Sequence, residues 1–170
     1  EKHGPRWNRL YPDIVERWTY LAGVPASLPK THTNLHGRVT TYFYDLEEAA
    51  TGDLNGDGLT NQAAGNLVKI LHPTVTLGQP APQTIQEKFW QDSTGKRIRS
   101  IDPNGKATAL QYFTAGPANC YLEKIIDDAG RLNLTTTYTV DSVGNVIGKT
   151  TPGGAAYTYT VDRLNQVTRI

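Results

Sequence analysis

Asp53, Asn55, Asp57 and Asn61 place oxygen-bearing side chains at positions 1, 3, 5 and 9 of a twelve-residue stretch, with Gly58 at position 6. This alternation suits a hard cation. A chain wound round Ca2+ turns every second side chain inward, bends at a glycine, and lends a main-chain carbonyl at position 7, here that of Leu59. The expected chemistry is oxygen ligation of Ca2+, which stiffens a loop and turns nothing over. Position 12 breaks the pattern, because Ala64 stands where a bidentate acid is wanted. Binding should therefore be of the weak, extracellular kind, unless Glu47, Glu48 or a neighbouring chain supplies the carboxylate. Without metal, the same residues make an Asn/Asp/Gly-rich surface loop.

Other residues that could do chemistry fit their surroundings poorly. His32 and His36 are four apart, but Thr31–Gly37 has neither helical character nor an acidic base, so surface histidines are expected rather than a zinc pair. Cys120 has no basic or histidine partner nearby in sequence and reads as a small buried residue, not a nucleophile. Being the single cysteine, it also excludes an internal disulfide and a cysteine-built zinc site. The acid pairs Glu47-Glu48 and Asp127-Asp128 fall in turns. Trp7, Trp18 and Trp90 with nine tyrosines would suit stacking on surface glycans, although aromatics at alternating strand positions more simply pair across strands. No catalytic constellation emerges, and the chain is not expected to be an enzyme.

What must position these residues is a repeat. Asp92-Ser93-Thr94-Gly95 leads through a strand-length stretch to Asp102-Pro103-Asn104-Gly105, and Asp141-Ser142-Val143-Gly144 leads in the same way to Pro152-Gly153-Gly154. Gly65 opens a third copy closed by Pro73. Asp127 to Gly130 and Asp162 to Asn165 repeat the first half, and Leu35-His36-Gly37 looks like an earlier copy. Asp heads a tight turn by capping its own backbone, Gly or Asn accepts positive φ at the fourth place, and proline cannot extend a ladder. Before the turns come aromatic, β-branched stretches such as Tyr42-Phe43-Tyr44, Lys88-Phe89-Trp90, Tyr138-Thr139-Val140 and Tyr157 to Val161. Their alternation is that of half-buried strands. The pattern predicts an all-β antiparallel meander over 35–170. Its first turn, Asp45 to Gly65, is interrupted by the calcium-type insert 46–64.

Tyr44-Asp45, Tyr138 to Asn145 and Tyr157 to Asn165 resemble the tyrosine-aspartate (YD) repeats of rearrangement-hotspot (Rhs) proteins, insecticidal toxin-complex C subunits, bacterial wall-associated proteins and teneurins. Only Tyr44-Asp45 keeps the literal pair; the later copies carry Val before Asp. The resemblance implies a curved sheet spiralling into a hollow shell that encloses a toxin or presents an adhesive surface. Shell-forming toxins of this kind end their repeats with a segment that cleaves a C-terminal cargo, which is not found here, and 170 residues are too few to enclose a cargo alone. The inserted loop resembles those of EF-hands and dockerins.

Residues 1–34 differ from the repeats. Within Tyr11 to Gly23, Ile14, Val15, Trp18 and Leu21 stand near helical spacing, with Pro12 suited to a first turn and Gly23 to a C-terminal cap, so an arm with a short helix is expected. The start at Glu1, the absence of Met and the strand-like ending at Val167–Ile170 suggest processing or truncation.

The composition narrows the class. Seventeen basic residues against sixteen acidic ones leave a net charge of +1, which removes the electrostatic case for nucleic acid. No apolar run approaches the roughly 18 residues of a membrane-spanning helix. The function expected first is a structural subunit, extracellular or at the cell surface, assembling with copies of itself into a tube or filament through edge strands that lack partners. The alternative is a fragment of a larger Rhs-like toxin shell or wall-associated protein, and a glycan-binding adhesin is the third.

Overall fold

A computed structural model describes residues 15–24, 27–59, 64–75 and 83–170. The chain forms two units, Glu1–Glu87 and Lys88–Ile170. In the first lie β1 (Arg17–Tyr20), β2 (Pro29–Thr33), β3 (Val39–Tyr44) and β4 (Leu67–Leu71), with a 3-10 turn at Asp45–Glu47 and a one-turn helix α1 (Glu48–Thr51). Each of these strands pairs antiparallel with the one before it. β3, Val-Thr-Thr-Tyr-Phe-Tyr, consists wholly of β-branched and aromatic residues, the types that fit a pleated surface best. It meets β4 in the register Thr41↔Leu71, Tyr42↔Ile70, Phe43↔Lys69.

The second unit takes up β5 (Gln86–Gln91) at Lys88, where its ladder with β6 (Arg97–Ile101) begins. It continues through β7 (Ala107–Tyr112), β8 (Leu122–Asp127), β9 (Leu134–Val140), β10 (Val146–Thr150) and β11 (Ala156–Thr158), again each antiparallel to its predecessor. A hairpin of β12 (Thr160–Val161) and β13 (Val167–Arg169) follows. The fold class expected from the repeat, an all-β antiparallel meander, is the one observed. Among the described hydrophobic residues only Tyr44, Val68, Phe89 and Ala107 are fully buried. The strands are otherwise mostly half-covered.

The N-terminal stretch departs from its expected form. Arg17–Tyr20 is a strand, not part of a helix, and β1 and β2 bring part of the predicted arm into the sheet. Ile14, Val15, Trp18 and Leu21 span only about two turns, and so short a helix is marginal without tertiary packing. Cross-strand contacts decide instead. Trp18 stacks on His32 at 4.2 Å and, farther off, is parallel to Tyr42, while the Thr19 and Thr31 hydroxyls share a 2.7 Å hydrogen bond. Residues 1–14, including Tyr11, Pro12 and Ile14 of that reading, lie outside the described residues. No helix among the described residues is long and apolar enough to cross a membrane.

Candidate functional site: the aspartate turns and the loop inserted in the first

One hydrogen-bond pattern organises the hairpins. Asp92 Oδ1 accepts the N–H groups of Thr94 at 2.8 Å and Lys96 at 3.0 Å, while the Gly95 N–H donates to the Asp92 carbonyl and the Asp92 N–H to that of Lys96. Asp102, Asp141 and Asp162 repeat this set with their own residues two, three and four places on. The side chain thus satisfies donors that the ladder leaves over at a strand end. The fourth turn residue must turn left-handed: Gly95, Gly105 and Gly144 have φ of 83°, 79° and 94°, and Asn165 fills the same place at 61°.

Two turns differ from the sequence reading. The earliest is headed by Asn34, whose Oδ1 accepts the His36 and Arg38 N–H groups while Gly37 N–H closes on its carbonyl. Asn offers the same oxygen as Asp, so N-x-x-G at the repeat spacing was the signal to read. Asp127 does not head a turn: it is the last residue of β8, and its carboxylate accepts from the Thr108 hydroxyl. The turn begins one residue later, with Asp128 itself left-handed at φ 53° and its carbonyl taking the Arg131 and Asn133 N–H groups, while the Gly130 N–H goes to the Asn133 side chain. Asp127 pairs with Leu134, so this connection is one residue longer than the Asp92 type, and an Asp-x-x-Gly cap no longer spans it.

Thr94 Oγ1, donating to Asp92 at 2.6 Å, and then the backbone donors, hold the Asp92 carboxyl below its usual range; Asn145 Nδ2, at 2.8 Å from Asp141, is the main cause of the same effect there. For a lowered carboxyl pKa the stability gained is complete above the unfolded value of about 4 and disappears as pH falls through the folded one. Urea midpoints should hold from neutral pH to about 5 and then fall, and an Asp92→Asn/Asp141→Asn double variant should show a shallower acid limb. An equally steep limb in the double variant would contradict this role.

The first repeat turn keeps the same head across the insert. Asp45, 2% exposed, accepts the Gly65 N–H at 2.8 Å and the Asn66 N–H at 3.1 Å on Oδ1, and Asn66 Nδ2 at 3.0 Å on Oδ2. Its own N–H donates to the Asn66 carbonyl. Asn66 thus plays the part Asn145 plays for Asp141, twenty-one positions away instead of four. Beside it the buried Tyr44 sends its hydroxyl to the Pro29 carbonyl at 2.8 Å, and Glu47 binds Lys30 and the Tyr44 N–H.

Within the insert, Asp53, Asn55 and Asp57 come together. Asp53 Oδ1 accepts the Gly56 and Asp57 N–H groups at 2.6 and 3.1 Å, and Oδ2 the Gly58 N–H at 2.8 Å. That last bond is the chief reason the Asp53 carboxyl lies below its usual range. Asn55, 1% exposed, offers Oδ1 to the Asp57 N–H, and Asp57 Oδ1 takes the Leu59 N–H. Asn61, the fifth predicted ligand, lies outside the described residues. Glu48 on α1 is also buried; its Oε1 accepts the Leu54 N–H at 3.2 Å, and burial, then the neighbouring Asp57, Asp53 and Asp45, push its carboxyl up. Among the described residues, no three histidine, cysteine, aspartate or glutamate side chains already converge as a metal-holding group.

Cys120 is exposed, contrary to the buried residue expected, because it sits left-handed at φ 78° in the turn joining β7 to β8, its N–H on the Phe113 carbonyl. His36 is exposed in its turn, while His32 is held under Trp18.

No family model matches the sequence, and no curated protein does. The fold, however, is similar to solved toxin structures at 20% identity. The TcdB2-TccC3-TEV structure superposes with a TM-score of 0.62 over 98% of this chain and 8% of that one. The Tc holotoxin pore of Photorhabdus luminescens gives 0.61 over 95% and 7%, and the TcdB2-TccC3 structure 0.57 over 83% and 6%. The chain therefore spans less than a tenth of the length of the structures it resembles.

Proposed function

We propose that the chain is a wall segment of a larger Rhs-like toxin shell, contributing consecutive hairpins to an enclosing sheet and no catalysis of its own. The observation that carries this is the extent of the fold match, nearly the whole of this chain against a small part of TcdB2-TccC3. The half-covered strands support it, since a sheet with so few buried side chains gains from flanking wall. On this reading the protein is secreted or displayed outside the cell, and its partners are the neighbouring repeats and the other subunits of a toxin complex. The tube or filament of identical copies, expected first from the sequence, draws no support from the comparisons.

Electron microscopy of the complete polypeptide that contains these residues tests the proposal. A hollow particle with this segment in its wall is expected, and the 170-residue chain alone should sediment as a monomer or small oligomer. Ordered filaments from the chain alone would restore the self-assembly reading. A complete protein with no enclosing sheet would overturn the shell.

A further inference from the structure

We infer that the insert in the first repeat turn binds one Ca2+, and that Glu48 supplies the carboxylate missing at Ala64. Glu48 is the observation that points to a ligand. It belongs to α1, outside the alternating loop pattern, and is only 1% exposed, yet among the described residues its carboxylate receives one hydrogen bond, 3.2 Å long, from the Leu54 N–H at the entry to the loop. That bond aims the group at the loop. No lysine, arginine or histidine among the described residues pairs with it. A buried carboxylate stays ionised only with a cation or several donors to offset lost hydration, and otherwise keeps its proton. Asp45 obtains them in three donors, and Asp128, whose Oδ1 has no hydrogen-bond partner among the described residues, has the Arg131 guanidinium 3.8 Å away. Glu47 is set aside as the extra ligand because the Lys30 ammonium already neutralises its charge, which Glu48 lacks among the described residues.

The ligand set is then Asp53, Asn55, Asp57, the Leu59 carbonyl and Glu48. Mixed carboxylate, amide and carbonyl oxygens in a loop of this kind suit Ca2+ better than Mg2+, which demands a tighter octahedron. The main-chain N–H groups on Asp53 and Asp57 fix those carboxylates while leaving lone pairs for the ion. Since the acids are not already gathered, affinity should be on the order of 0.1–1 mM. The inference is independent of the shell proposal.

Calorimetric titration of the 170-residue chain with CaCl2, and melting in 10 mM Ca2+ against EDTA, test it. One ion per chain and a rise in Tm of about 3–5 °C are expected, with a smaller response to Mg2+. Glu48→Gln should weaken binding at least roughly tenfold while melting in EDTA no lower than the parent; Glu47→Gln should keep the affinity. Should Glu48→Gln fail to fold, Asp53→Asn in the exposed part of the loop must show the same loss. No calcium response from the parent chain overturns the site, and unchanged affinity in Glu48→Gln overturns the assignment of the ligand.

Discussion

Asp45→Ala should destabilise the first unit by about 3–5 kcal/mol, far more than the same change at any exposed repeat turn. The substitution removes the acceptor of three hydrogen bonds at once, from Gly65 N–H, Asn66 N–H and Asn66 Nδ2, and strands those donors where water is scarce. These bonds also close the chain over a separation of twenty positions, so their loss frees the insert and weakens the start of β4 as well. At Asp162 the partners Leu164 and Gln166 N–H face solvent, and Asp162→Ala should cost only about 1 kcal/mol. Asp45→Asn, which keeps one acceptor oxygen, should fall between. Urea unfolding followed by circular dichroism gives the comparison. If Asp45→Ala costs no more than Asp162→Ala, the carboxylate is not what joins the two ends of the insert.

The strands and most of the hairpins were legible because two local constraints coincide in them. Aromatic and β-branched alternation sets the strand, and an Asp or Asn three residues before a left-handed Gly or Asn sets its end. Both are short-range, so Asp92, Asp102, Asp141 and Asp162 stand at their turns as their spacing requires. Where the outcome depends on a partner distant in sequence, the pattern misleads. Arg17–Tyr20 is a strand because His32 and Thr31 lie beside it, and nothing within the four residues says so. Asp127 fits the turn spacing, and Gly130 is left-handed at its fourth place, yet one extra residue in the connection makes Asp128, also left-handed, the residue whose carbonyl closes the turn. Glu48 was visible only as one of two neighbouring acids. What separates it from Glu47 is Lys30, seventeen residues away, which takes one and leaves the other buried.

Gly144→Ala should cost about 2–4 kcal/mol, against about 1 kcal/mol for Gly105→Ala in the matching place of an earlier turn. Both glycines are left-handed, at φ 94° and 79°, so backbone strain is common to the pair. What distinguishes them is space. A Cβ on Gly105 meets nothing within 4 Å, whereas one on Gly144 would lie 2.5 Å from Tyr121 Cζ and 2.9 Å from its Oη, and nearer still to Cε1. The ring must move, losing its packing over the turn, or the turn must open, breaking the Asp141 bonds to Val143 and Asn145. Removing the ring separates these costs. In a Tyr121→Ala background, Gly144→Ala should fall to the cost of backbone strain alone, leaving a coupling of about 1–2 kcal/mol between the two sites. Measured by urea midpoints, additive effects would mean that Tyr121 swings clear freely. The close approach would then place no demand for glycine at 144, and the left-handed turn would be its sole requirement, one that Asn165 shows asparagine can meet.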